Sequence, residues 1–171
     1  MGRFSPVKAL ALIAIAPFAI GAAPSLSFSE QVLQEHNLER ADLGVDPMVW
    51  DTRLEADARE WAQHLAKTNQ FKHYSDRPGE EPQGENLWAG TKGYYSPKAM
   101  VGLWIAEKQN YRPGRFPQNS TTGNVADVGH YTQLIWSDTG RVGCAVAQSR
   151  NEDILVCRYS TAGNVIGEVP A

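Results

Sequence analysis

The sequence predicts a single α+β domain, with helices in the first part of the chain and a β-hairpin near its end. Three segments are predicted to be helices. The signals are a capping residue, apolar residues three or four positions apart and a terminating residue. Two β-type runs, 142–148 and 154–159, come after them and are joined by a short polar turn. The chain of 171 residues contains no internal repeat, so its length suits one domain.

The first predicted helix runs from about Phe28 to Leu43. It opens on Ser27-Phe28-Ser29-Glu30, a capping-box spacing in which the serine and the glutamate satisfy each other's backbone amides. Gly44 stands where such a helix ends.

Two further helices are predicted before the hairpin. Asp51 is the predicted N-cap of the second helix. The apolar face of this helix consists of Leu54, Ala58, Trp61 and Leu65, and its polar face of Arg53, Asp57, Glu60, His64 and Lys67. The third opens on Ser96-Pro97, because proline suits the first helical position. Its predicted inward stripe is Met100, Leu103, Trp104, Glu107 and Tyr111. A long loop, 112–127, follows it.

The hairpin predicts a disulfide bond. A turn centred between Arg150 and Asn151 places Cys144 directly opposite Cys157. Opposed β-carbons lie about 4.5 to 5.5 Å apart, so a small adjustment allows the bond. The chain has only these 2 cysteines, and in an exported protein they are expected to pair.

Residues 1–23 are predicted to be a secretory signal peptide. Arg3 and Lys8 precede an apolar run, 9–23, which is too short to span a bilayer comfortably. We expect cleavage at about residues 21 to 24 and a mature domain at 24–171. The mature protein is therefore expected to be secreted, or periplasmic in a bacterium, with no transmembrane anchor.

Charge and motifs exclude several classes of protein. The net charge is −3, and removal of Arg3 and Lys8 with the signal leaves −5, which does not suggest binding to nucleic acid or to an acidic membrane. The chain has no GxSxG elbow, Walker loop, GxGxxG or HExxH motif. Since both cysteines are assigned to the bridge, no nucleophile is evident.

Four ionisable residues lie within aromatic or aliphatic sequence: His73, Glu85, Glu107 and His130. Two imidazoles and two carboxylates in one pocket would bind a divalent cation or move protons. Each also has a purely structural explanation, as a core or solvated histidine or as a capping or rim carboxylate. His36 and His64 fit exposed or supporting positions better than ligand positions. Asn119-Ser120-Thr121 is a glycosylation sequon that matters only in a eukaryote.

Several motifs resemble the CAP superfamily, also called the SCP domain, which includes cysteine-rich secretory proteins, venom antigen 5 proteins and plant pathogenesis-related class 1 proteins. Residues 129–136 with Thr139 resemble its GHYTQxxWxxT signature. Four shorter motifs resemble HNxxR, PLxWD, GENL and GCA, at residues 36–40, 47–51, 84–87 and 143–145. Residues 156–164 resemble the second signature, with Thr161 where the family usually has proline; Val128 replaces a cysteine common in the family.

The resemblance implies a three-layer α-β-α sandwich with a central, mainly antiparallel sheet. It also implies an open cleft lined by His73, Glu85, Glu107 and His130, in which the histidines coordinate a divalent cation such as zinc. A short helix at 130–136 is implied in place of the strand that its β-branched and aromatic residues favour.

Three functions remain compatible with the sequence. The first is a non-enzymatic binding module that holds a cation and an apolar ligand, such as a sterol or lipid, or an extracellular protein partner. The second is a metal-dependent hydrolase, peptidase-like, in which Glu85 or Glu107 activates water. The third is a structural defence or adhesion domain with an inert cleft.

Overall fold

A computed structural model describes residues 1–2, 25–75, 78–79 and 81–171. Residues 3–24, which include nearly all of the predicted signal peptide and its cleavage position, therefore lie outside the described residues. The elements are α1 (Phe28–Asp42), β1 (Val49–Trp50), α2 (Thr52–Thr68), β2 (Gly84–Thr91), α3 (Pro97–Ile105), α4 (Gly129–Leu134), β3 (Arg141–Gln148) and β4 (Glu152–Ser160). Two 3-10 turns, Ala106–Asn110 and Val125–Asp127, precede α4.

The four strands form one sheet in the order β1-β3-β4-β2, so β2 lies at an edge. Strand β1 is parallel to β3, and the other two pairings are antiparallel. Helix α2 packs on one face, where Leu65 and its neighbours meet Leu87, Ala145 and Val156. Helices α1, α3 and α4 cover the other face and bury most of the core. The fold is the predicted α+β, three-layer α-β-α sandwich.

The predicted helix starts are confirmed at all three positions. Ser27 and Glu30 form the capping box of α1. Asp51 accepts hydrogen bonds from the first amides of α2, and Ser96 caps α3 with Pro97 in its first turn. These signals are local side-chain to backbone contacts, which explains why sequence spacing finds them.

The inward position of Leu103 was predicted wrongly, since its side chain is 48% exposed. The buried stripe of α3 consists of Met100, Val101 and Trp104. Because an α-helix turns about 100° per residue, Leu103 lies roughly a quarter turn away from that stripe. Helix α3 also ends at Ile105, so Glu107 lies on the following 3-10 turn.

The hairpin has the predicted register. Cys144 lies opposite Cys157, and the two form a disulfide. Gly143, beside the first cysteine, is required by packing because a Cβ there would lie 2.2 Å from the backbone nitrogen of Glu55 in α2. This close approach explains the glycine of the GCA motif.

The long loop before α4 buries the asparagine of its sequon. Asn119 is 0% exposed, so its amide is not accessible to a glycosyltransferase in the folded chain. Among the described residues, no helix combines the length and the apolar character needed to cross a membrane.

Candidate functional site

The first of the predicted pairs joins His73 to Glu85. Glu85 belongs to edge strand β2, and its Oε1 lies 2.7 Å from His73 Nδ1. The same oxygen accepts the backbone N–H of Tyr74 at 3.0 Å. The carboxylate is only 6% exposed, whereas the His73 side chain is 65% exposed. The hydrogen bond that His73 donates to Glu85 raises the pKa of His73, against the opposing effects of burial and of Arg158.

Arg158 is a residue of this site that the sequence analysis missed. It lies opposite Glu85 in the β2–β4 ladder, and its Nε is 3.3 Å from Glu85 Oε2. The two atoms form an ion pair without a hydrogen bond between them. The guanidinium also lies over the ring of Tyr74, 4.4 Å from its centroid. A charged residue inside the apolar run of β4 was the signal that could have revealed it.

The second pair joins His130 to Glu107. Glu107 Oε1 lies 2.6 Å from His130 Nδ1. Its Oε2 accepts the backbone N–H groups of His130 and Tyr131, both at 3.0 Å. Those amides open α4, whose cap residue Val128 has no side-chain oxygen. Glu107 therefore fixes the start of the helix as well as the imidazole, which stacks on Trp104 with centroids 5.8 Å apart.

The imidazole ring has the same hydrogen-bonding arrangement in both His–Glu pairs. In His73 and in His130, Nδ1 contacts a carboxylate oxygen. No hydrogen-bond partner of Nε2 is found for either ring within the part of the chain that the structure describes. Metal-binding histidines have this pattern: one ring nitrogen donates to a carboxylate and the other coordinates the ion.

The pairs lie on either side of strand β2. Glu85 and Asn86 are adjacent, so their side chains point to opposite faces of the sheet. Asn86 Nδ2 donates to the backbone oxygen of His130 at 3.0 Å, which ties the second pair to the face away from Glu85. Across residues 25–75, 78–79 and 81–171, no three His, Cys, Asp or Glu side chains are grouped as metal ligands. The structure thus forms two His–Glu pairs at one sheet edge.

His36 supports the site from the core and is not exposed. Because the carbonyl of Val32 only accepts, the Nδ1 of His36 donates to it, at 2.8 Å. The hydroxyl of Tyr159 donates to Nε2 at 2.9 Å and accepts from Asn86 at 3.2 Å. Burial lowers the pKa of His36 to about 4. His64, in contrast, is exposed on α2 as predicted.

Comparison with known proteins decides the family. The profile of the cysteine-rich secretory protein family, CAP, matches residues 33–159. The chain belongs to the CAP family. Pathogenesis-related protein 1C of Nicotiana tabacum is 34% identical over 171 residues, covering 99% of this chain and 95% of the tobacco protein. Pathogenesis-related protein 1 of Arabidopsis thaliana is 35% identical over 142 residues, covering 82% of this chain and 81% of the Arabidopsis protein.

Solved CAP structures agree with the fold. The crystal structure of NaASP2 with Zn²⁺ has a TM-score of 0.66 and 24% identity, and the match covers 82% of each chain. At 24% identity, this similarity supports a common fold and nothing further. It matches the three layers described above.

Proposed function

We propose that this CAP protein is a secreted, non-enzymatic binding module. In the proposal, a divalent cation such as Zn²⁺ lies at the free edge of β2, where His73 and His130 reach it through Nε2 from the two sides of the strand. An apolar small molecule or a protein partner binds beside it. The observation that carries the proposal is the shared geometry of the two pairs, in which each carboxylate occupies Nδ1 and leaves Nε2 for a ligand.

The carboxylates themselves favour binding over hydrolysis. Both oxygens of Glu107 are engaged, by one ring nitrogen and two backbone amides. Glu85 Oε1 accepts from His73 and Tyr74, and its Oε2 faces Arg158. A general base must reach the proton that it removes. Every oxygen of the two carboxylates already contacts a donor or a cation of the protein, so the hydrolase alternative receives less support.

An apolar partner is supported by the surface beside His73. Phe71, two residues earlier, is 58% exposed. An exposed aromatic ring next to a polar site can contact the apolar part of a molecule that binds there. Sterols and fatty acids are the probes that fit this chemistry.

Zinc calorimetry tests the cation site. NaASP2, which shares the fold, was crystallised with Zn²⁺ and suggests this probe. We expect the mature protein to bind zinc, and His73→Ala and His130→Ala each to weaken binding by about a hundredfold or more. Arg150→Ala, at an exposed position of the turn between β3 and β4, is the control and should leave affinity unchanged. Equal affinity in all four proteins would refute the site.

Ligand titration tests the module itself. Cholesterol and palmitate are titrated into the mature protein with and without zinc, and Phe71→Ser should weaken whichever one binds. Failure of both lipids to saturate would remove the apolar-ligand part of the proposal. Peptide hydrolysis that requires zinc and disappears in Glu107→Gln or Glu85→Gln would instead establish the enzyme.

A further inference from the structure

The segment that carries His73 has little structure of its own. Residues 70–75 follow the last turn of α2 and belong to neither a helix nor a strand. His73 is largely exposed, as are Phe71 and Lys72 before it. A metal-binding side chain on such a segment has to be held by contacts from other parts of the protein, because the loop backbone alone does not fix its orientation.

Side chains of Glu85, Trp61 and Arg158 hold this segment against the body of the protein. Glu85 Oε1 accepts from His73 Nδ1 and from the backbone of Tyr74. The indole N–H of Trp61 donates to the backbone oxygen of Lys72 at 3.2 Å. The ring of Tyr74 meets Trp61 edge-on, with centroids 5.2 Å apart, and lies beneath the guanidinium of Arg158.

Arg158 connects two of these contacts. Its side chain is 5% exposed, and it touches Glu85 on one side and the Tyr74 ring on the other. A carboxylate as buried as that of Glu85 needs a compensating charge, which Arg158 supplies. With Oε2 held there, Oε1 is directed at His73. A planar guanidinium can pair with a carboxylate and stack on an aromatic ring at once, and an ammonium group is much less suited to both.

We propose that Arg158 is a positioning residue of the cation site, which fixes Glu85 and Tyr74 and thereby holds the His73 ring with Nε2 free for a ligand. This inference rests on the proposed function, because it assigns Arg158 a role toward the same cation. Its first readout, however, is the state of His73 in the metal-free protein.

The test uses the mature protein with Arg158→Met and Arg158→Lys. Nitrogen-15 NMR of the imidazoles reports which ring nitrogen carries the proton. We expect one dominant His73 tautomer, protonated at Nδ1, in the wild type, and a mixture in Arg158→Met. Arg158→Lys should fall between the two. His130, whose carboxylate belongs to the other pair, should be unchanged in both variants.

Zinc affinity provides the second readout. Arg158→Met should weaken zinc binding by about 10- to 100-fold, the effect expected for removing support behind a ligand. Arg141→Met is the matched control, since Arg141 is exposed, lies on the neighbouring strand and contacts Asp51 rather than a histidine. Its affinity and its His73 spectrum should match those of the wild type.

The outcomes separate the two proposals. A folded Arg158→Met protein with the wild-type His73 spectrum overturns the positioning role. If no variant, including the wild type, binds zinc while Arg158→Met still changes the His73 tautomer, the cation site is wrong and the positioning role stands. Should Arg158→Met fail to fold, Arg158→Lys and Tyr74→Leu decide: unchanged His73 spectra in both refute the inference.

Discussion

Glu107 contacts His130 at two points, through the ring Nδ1 at 2.6 Å and through the backbone N–H at 3.0 Å. One carboxylate therefore sets both the orientation of the imidazole and the position of the helix that carries it. The residue supplies from another element the cap that Val128 cannot provide. Glu107 therefore positions His130, although its place in the site could suggest a catalytic carboxylate.

Replacement of Glu107 by glutamine should weaken both functions of the carboxylate. Glutamine keeps the shape but has one acceptor oxygen, so it cannot serve the ring and the two amides together. We expect zinc affinity to fall about 10- to 100-fold and the free energy of unfolding to fall by about 1 to 3 kcal/mol. Calorimetry and urea unfolding measure the two effects. Glu152→Gln, an exposed site on the hairpin, should show neither, and unchanged zinc affinity in Glu107→Gln would contradict the prediction.

The sequence singles out His73, Glu85, Glu107 and His130, because each ionisable side chain lies in aromatic or aliphatic sequence and the CAP resemblance implies the same four. It does not predict how they pair. Their pairing depends on contacts between residues 12 and 23 positions apart, which no local pattern encodes.

Strand β2 is one part of the fold that the sequence analysis did not predict, and without it the position of Arg158 could not be inferred. Gly84, Asn86 and Gly90 lower the strand propensity of this segment, so its pattern is weak. It becomes a strand because it pairs with β4 along its whole length. Only that ladder places Arg158 opposite Glu85, so the ion pair could not be inferred before the strand was known.

His36 should make the protein less stable in mild acid. Burial lowers its pKa from 6.5 to about 4, so between these values the unfolded chain binds a proton that the folded chain does not. The free energy of unfolding therefore falls as the pH drops from about 6.5 to 4, by about 3 kcal/mol in total, with no contribution from this group above that range. Urea unfolding at a series of pH values measures the loss.

His36→Gln separates this effect from the titration of carboxylates. The variant lacks the titrating ring, so its stability should change less over the same pH range, even if it starts lower because the ring Nδ1–H that donates to Val32 is lost. Parallel curves for the variant and the wild type would show that His36 does not cause the pH dependence.

The disulfide between Cys144 and Cys157 should contribute about 2 to 4 kcal/mol of stability. The two residues are 13 apart in sequence, and cross-linking such a loop removes conformational entropy mainly from the unfolded chain. Urea unfolding of the wild type should shift to lower denaturant when a reductant is added. The double variant Cys144→Ala, Cys157→Ala should match the reduced wild type and be insensitive to the reductant. A wild type that unfolds identically with and without reductant would contradict the estimate.

Substitution of Arg40 should lower the stability of the protein strongly, because its buried guanidinium connects α1 to the loop at Asp46 and to the segment at the end of α4. Its nitrogens donate to four carbonyls, those of Asp46, Leu134, Trp136 and Thr139, at distances of 2.7, 3.1, 2.8 and 2.9 Å. Two of these carbonyls lie at the end of α4, where helical partners are missing.

Arg40→Lys keeps the charge but replaces the forked donor by one nitrogen, so at least one buried carbonyl loses its donor. Each buried carbonyl without a partner costs about 1 to 3 kcal/mol, so we expect a loss of about 2 to 5 kcal/mol in urea unfolding. Arg59→Lys, which alters an exposed arginine paired with Glu55 on α2, should change stability by less than about 1 kcal/mol. If the two lysine variants proved equally stable, the fork of Arg40 would not hold α4 in place, and the support of His130 would have to come from Glu107 and Asn86 alone.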